Sequence, residues 1–242
     1  MIILHGLFGS ADNWAPIATR LSDAFQVFAL DQRNHGRSPH SGEMNYAVMA
    51  ADVRQFLDEQ SMESAIVLGH SMGGKTAMRF ALDYPARTQA LIVADMAPRA
   101  YPPLHASIFE ALLRLDLASF SSRNQVSDAL AADIPDAALR LFLLKMIGRG
   151  PAGQMFWQTN IRGIEANSAH LRAALPGQGS YPGPALFIRA EKSDYLRDDD
   201  AAPIRQLFPS AEFKAIPRVG HWVHAEAPDA FCAALREFLG KS

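Results

Sequence analysis

The sequence is short of cysteine, of uninterrupted apolar runs and of clustered charge, and each shortage removes a class of protein. Its single cysteine, Cys232, excludes an intrachain disulfide framework and fits a reducing cytoplasm. Cys232 stands in the apolar stretch 230–239, where a packed thiol is expected. No apolar run approaches the length a membrane helix needs, so no membrane partner is expected. The first residues lack a basic stretch and already carry a motif, which argues against reading them as a signal peptide. Net charge is -2 and Lys and Arg are not clustered, which argues against nucleic acid as a partner. What remains is a globular composition, with 49% hydrophobic and 20% charged residues. The 242 residues are enough for one large α/β domain with a sizeable core.

Apolar runs and helical patterns alternate along the first hundred residues. Strands are expected at 1–4, 27–30, 65–68 and 90–94, and helices at 14–21, 49–60 and 72–82. Such alternation with short connections predicts a parallel sheet with helices on both faces. The pattern stops after Ala97, and residues 101–175 read mostly as helix. Residues 98–182 are therefore expected to form an inserted helical cap, closed by the Gly- and Pro-rich segment 177–184. Residues 1–97 and 183–242 would be the core, with strands at 185–188 and 212–216 and helices at 201–208 and 228–239.

Gly69-His70-Ser71-Met72-Gly73 is the motif that carries chemistry. Between a buried strand and an amphipathic helix, G-x-S-x-G is a nucleophile elbow: the turn lifts the serine hydroxyl off the sheet. A serine needs a general base, and His221 in Val219-Gly220-His221-Trp222 follows the last strand at the same end of the sheet. His224 is its rival, placed where the last helix begins and read as a supporting or surface residue. The acid has two places. One is Asp194, one position beyond Ser193, where a typical acid would stand after the strand at 185–188; the other is Asp95, at the end of the strand at 90–94. Backbone amides of Leu7, in the His5-Gly6 turn, and of Met72 would form an oxyanion hole.

These residues resemble the α/β-hydrolase superfamily over nearly the whole chain, and more closely the bacterial YbfF-type esterases. The likeness rests on LHGLFGSADNW at 4–14, DQRNHGRS at 31–38, GHSMGGK at 69–75, ADMAPRAY at 94–101 and GHWVHAEAPDAF at 220–231. The resemblance implies an acid on the strand after the elbow helix and a serine at the usual acid position, so it favours Asp95, with Ser193 auxiliary. It also implies cleavage of carboxylic esters, with acyl-CoA thioesters as further substrates, no metal and no cofactor. Against it, an early hairpin of the relatives is expected to be missing here, either by a misassigned start or by a short sheet edge. Carbon–carbon bond hydrolases and cofactor-free haloperoxidases share the scaffold and the three side chains, and so does a ligand receptor that retains them. Oligomeric state and acyl preference are not legible.

Overall fold

A computed structural model describes residues 1–176 and 179–240. Its centre is a six-stranded sheet of β1 (Ile2–Leu4), β2 (Phe28–Leu30), β3 (Ala65–His70), β4 (Thr88–Ala94), β7 (Ala185–Ala190) and β8 (Ala211–Ile216). The order is β2-β1-β3-β4-β7-β8, and every pairing is parallel. Side chains alternate between two apolar layers, as strand geometry requires. Ile2, Leu4, Val67, Leu91, Val93 and Phe187 face one layer, and Ile3, Leu68, Ile92, Ala94 and Ile188 face the other. The first layer is covered by α2 (Tyr46–Glu59), α3 (Met72–Asp83) and α9 (Ala201–Leu207). The second is covered by α1 (Ala15–Leu21) and α11 (Pro228–Phe238). This is the α/β-hydrolase fold. Strand β2 lies at the sheet edge.

Between β4 and β7 the chain forms α4 (Ala106–Arg114), α5 (Arg123–Leu130), α6 (Ala137–Leu143), α7 (Ile161–Ala166) and α8 (Ser168–Arg172). The expectation of helix here misses a hairpin of β5 (Ile147–Arg149) and β6 (Met155–Trp157). Residues 150–153, Gly-Pro-Ala-Gly, supply its turn and cut short the helical spacing that precedes it. Gly177 and Gln178, within the segment expected to close the insertion, lie outside the described residues. Elsewhere the elements fall where expected, with ends that differ by at most three residues in either direction. Helix α2 begins at Tyr46 because the Asn45 side chain caps it, accepting from the Ala47 and Val48 amides. An extra turn, α10 (Val223–Glu226), precedes α11. Among the described residues, no helix is long and apolar enough to cross a membrane.

The chain steps from β1 to β2 on one side and then to β3 on the other. The crevice at the carboxyl ends of β1 and β3 is therefore a topological switch point. Its loops are braced by buried histidines. His5 Nδ1–H donates to Gly6 O (2.8 Å), and its Nε2 accepts from the Gln32 amide (3.0 Å). His35 does the same one loop away, donating to Arg33 O and accepting from the Phe8 amide (3.2 Å). Neither ring can keep its accepting nitrogen if it gains a proton. His224 is buried rather than at the surface, stacked on Trp14 with centroids 4.1 Å apart. Burial pushes His35 and His224 down to about 3 and lowers His5 as well.

Below the ordinary histidine value the unfolded chain binds protons that these rings refuse, so stability falls as pH drops from about 6.5 toward 3. By pH 5, His35 and His224 should each withdraw on the order of 2 kcal/mol. The melting temperature should then fall by on the order of 10 °C between pH 7.5 and pH 5.0. Thermal unfolding at the two values checks this, and an unchanged midpoint would contradict it.

Candidate active site

Ser71 sits between β3 and α3 with φ 53° and ψ -120°, a backbone conformation that costs a non-glycine residue energy. The surrounding backbone enforces it. A Cβ on Gly69 would lie 2.0 Å from Gly73 O, and one on Gly73 would lie 2.2 Å from Leu4 O. Strand, helix and the neighbouring β1 therefore approach so closely that only glycine fits on both sides of the serine. The Ser71 amide is held by Ala94 O at 3.2 Å. Met72 opens α3, so its N–H has no intrahelical acceptor. Leu7, Ser71 and Met72 line one cavity together.

Asp95 follows β4, also at positive φ (51°), and is fully buried. Its amide donates to Ile188 O at 2.8 Å, tying the β4 exit to β7. Oδ1 accepts from the Ala190 amide at 3.1 Å. Oδ2 accepts from Ser193 Oγ at 2.5 Å and from His221 Nδ1 at 2.7 Å. A buried carboxylate is tolerable only when its lone pairs are met in this way. Asp194 is placed differently. Its side chain is exposed and pairs with Arg197 at 3.4 Å.

His221 follows β8, and its Nδ1 is occupied by Asp95, which leaves Nε2 for other work. His70 Nε2–H donates to the His221 carbonyl at 2.8 Å, fixing the loop from below. Burial pushes His70 far below the ordinary histidine value, so that ring stays neutral beside His221. On the other side the Tyr195 ring stacks on the imidazole, with centroids 3.9 Å apart and planes 22° apart. Ser71 and His221 line a common cavity with Tyr195 and Trp222.

Three further residues escaped the sequence reading. Tyr195 is one. Lys75, inside α3, is completely buried, with Nζ donating to Arg99 O (2.7 Å) and Ala173 O (2.6 Å). The ammonium also lies 4.8 Å from the Tyr101 ring centre, and burial lowers it to about 7. It thus joins the elbow helix to the far end of the insertion. Tyr101 is the third: its hydroxyl donates to Tyr195 O at 2.5 Å and accepts from the Ala97 amide at 2.9 Å. A lysine seven residues after a strand had no sequence signal for burial. Its place in Gly69–Lys75 was the one hint.

The α/β-hydrolase fold family model matches residues 1–228. The chain is 33% identical over 242 residues to the Escherichia coli esterase YbfF, covering 99% of this chain and 92% of that protein. It is 34% identical to the sn-1-specific diacylglycerol lipase ABHD11 of Danio rerio, covering 99% of this chain and 78% of that one. Among solved structures, an esterase from a marine microorganism superposes with a TM-score of 0.94 at 44% identity, covering 98% of this chain and 94% of its own. The strained serine turn, the buried carboxylate against the late histidine and these similarities meet in one statement: the chain belongs to the α/β-hydrolase fold family.

Proposed function

We propose that this protein is a serine hydrolase of carboxylic esters, with Ser71 as nucleophile, His221 as general base and Asp95 as the acid. The observation that carries the reading is the 2.7 Å contact from His221 Nδ1 to a buried carboxylate, in a cavity His221 shares with the strained Ser71. Relatives named as esterases and a lipase support ester bonds as the target.

Ser71 Oγ attacks the carbonyl carbon as its proton passes to His221 Nε2. Asp95 holds the ring by Nδ1–H and stabilises the imidazolium that forms. The Leu7 and Met72 amides hold the oxyanion, and such donors are typically worth several kcal/mol in the transition state. The carbon–oxygen bond to the leaving alcohol then breaks as His221 returns the proton to it. Water, deprotonated by His221, attacks the acyl-enzyme in the second half and frees the acid. Ser193 is the auxiliary: its hydroxyl donates to the same carboxylate oxygen as His221 does. No step needs a metal or cofactor. Thioesters would pass through the same acyl-enzyme, and paired ester and acyl-CoA substrates compare the two. The insertion 98–182 acts as the cap over the site.

Ser71→Ala should abolish hydrolysis of p-nitrophenyl butyrate, by at least about a thousandfold in kcat. The melting temperature should stay within a few degrees, because alanine meets the same backbone strain. Retention of most activity in the purified variant would refute the nucleophile.

The acid has its own test. Asp95→Asn puts an amide where the carboxylate accepts three donors, and turnover should drop by about 10³ to 10⁴. Asp194→Asn touches an exposed side chain, and kcat should stay within about twofold. Steady-state kinetics on both variants decide the matter, and the reverse ranking would move the acid to Asp194.

A further inference from the structure

Two cavities meet at Ser71. Leu7, Ser71, Leu104, His105 and Tyr195 line both. Met72 lines only the first, of about 180 Å³, and His221 only the second, of about 270 Å³. The second also carries Ile108, Leu139, Phe142 and Trp222. The first has a buried floor of Tyr46, Met72, Met96 and Phe109. Its exposed lining residues, Pro103, Leu104, Glu110 and Glu165 among them, mark the mouth.

The chemistry orients a substrate in this forked site. The carbonyl carbon in the tetrahedral intermediate holds four groups: Ser71 Oγ, the oxyanion, the leaving oxygen and the acyl chain. The oxyanion points at the Leu7 and Met72 amides. The leaving oxygen must lie within reach of His221 Nε2, since Nδ1 is taken by Asp95. That places the alcohol in the cavity His221 lines. The acyl chain takes the direction left over, beside Met72.

Resting on the serine-esterase reading above, we infer that the cavity floored by Met96 and Phe109 is the acyl site and is filled by a linear chain of about six carbons. The volume supports the length, because an apolar cavity of about 150 Å³ holds one benzene molecule. The lining supports the chemistry: the floor is apolar and thioether-rich, which suits a flexible aliphatic chain. The mouth is open and bears Glu110 and Glu165. Carbons beyond the sixth leave the floor and meet water, so they add little. The alcohol side, with Phe142 and Trp222, takes a bulky apolar or aromatic leaving group.

The test is a series of p-nitrophenyl esters from acetate to decanoate, read as kcat/KM on the wild type and three variants. Each added methylene should raise kcat/KM by up to about fourfold until six carbons. From there the profile should stay flat to within about twofold. Leu113→Trp, which intrudes from α4 into the same cavity, should move the break to shorter chains. Phe109→Ala should move it to longer ones. Should Phe109→Ala fold poorly, Leu113→Trp still carries the test. Phe142→Ala should change the ratio of p-nitrophenyl to ethyl ester rates and leave the break in place. A profile that climbs through decanoate overturns the inference. So does a break that moves with Phe142→Ala and ignores Leu113→Trp, which puts the chain on the alcohol side. In both cases Ser71-dependent activity survives, so the esterase reading stands. Activity that persists in Ser71→Ala overturns the reading and the inference together.

Discussion

The buried charge of Asp95 is the constraint on which the site is built. A carboxylate with no exposure to water must find donors from the protein or lose its charge. Three donors arrive: the Ala190 amide from the end of β7, the Ser193 hydroxyl from the loop after β7, and His221 from the loop after β8. The demand therefore closes those loops onto the end of β4. Removing one partner leaves a lone pair unmet in the interior, at a cost of about 1–3 kcal/mol. The same contacts that satisfy the charge also set the plane and tautomer of the histidine. Stability and alignment are one requirement at this point in the fold.

The loops do not rest on Asp95 alone. Tyr101 grips the Tyr195 carbonyl, and Arg99 lies 4.3 Å from the Tyr101 ring centre and pairs with Asp200 at 3.0 Å. Arg99 also donates to Asp194 O at 2.7 Å. The segment 191–200 is thereby pinned from the chain that leaves β4. Lys75 completes the frame by reaching Arg99 O and Ala173 O from inside the elbow helix. A buried lysine is costly unless its protons are used, and here two carbonyls and an aromatic face receive the ammonium. One side chain thus couples the helix after the strained Ser71 turn to both ends of the segment between β4 and β7.

The parallel sheet and its strands were legible because buried parallel strands read as short apolar runs and helices read by period. Ser71 was legible because two glycines must flank it. His221 was legible from its position after the last strand. Other features depend on contacts that no local pattern encodes. The β5–β6 hairpin was hidden in apolar spacing that a helix would also show, with only Gly150-Pro151 to break it. The burial of Lys75 follows from carbonyls 24 and 98 residues away. The stack of Tyr195 on His221 follows from a loop held by Tyr101. Of the two readings of His224, supporting or surface, only the surface one fails, although the start of a helix is usually exposed. Trp14 packs over it instead.

Asp95 shows why sequence position is a weaker guide than strand adjacency. Strands β4 and β7 are neighbours in the sheet, in register from Leu91 with Ala185 to Ala94 with Ile188. Their ends open at the same height beside the loop that delivers His221. A carboxylate on either strand can face the same imidazole, provided the other strand supplies a small donor rather than a second charge. Two carboxylates there would repel, and one would be forced to take up a proton. Ser193 meets that condition: it occupies the β7 side with a hydroxyl and donates to Asp95. The pair Asp95 and Ser193 is therefore one solution read across two strands. Neither residue makes physical sense at this site without the other.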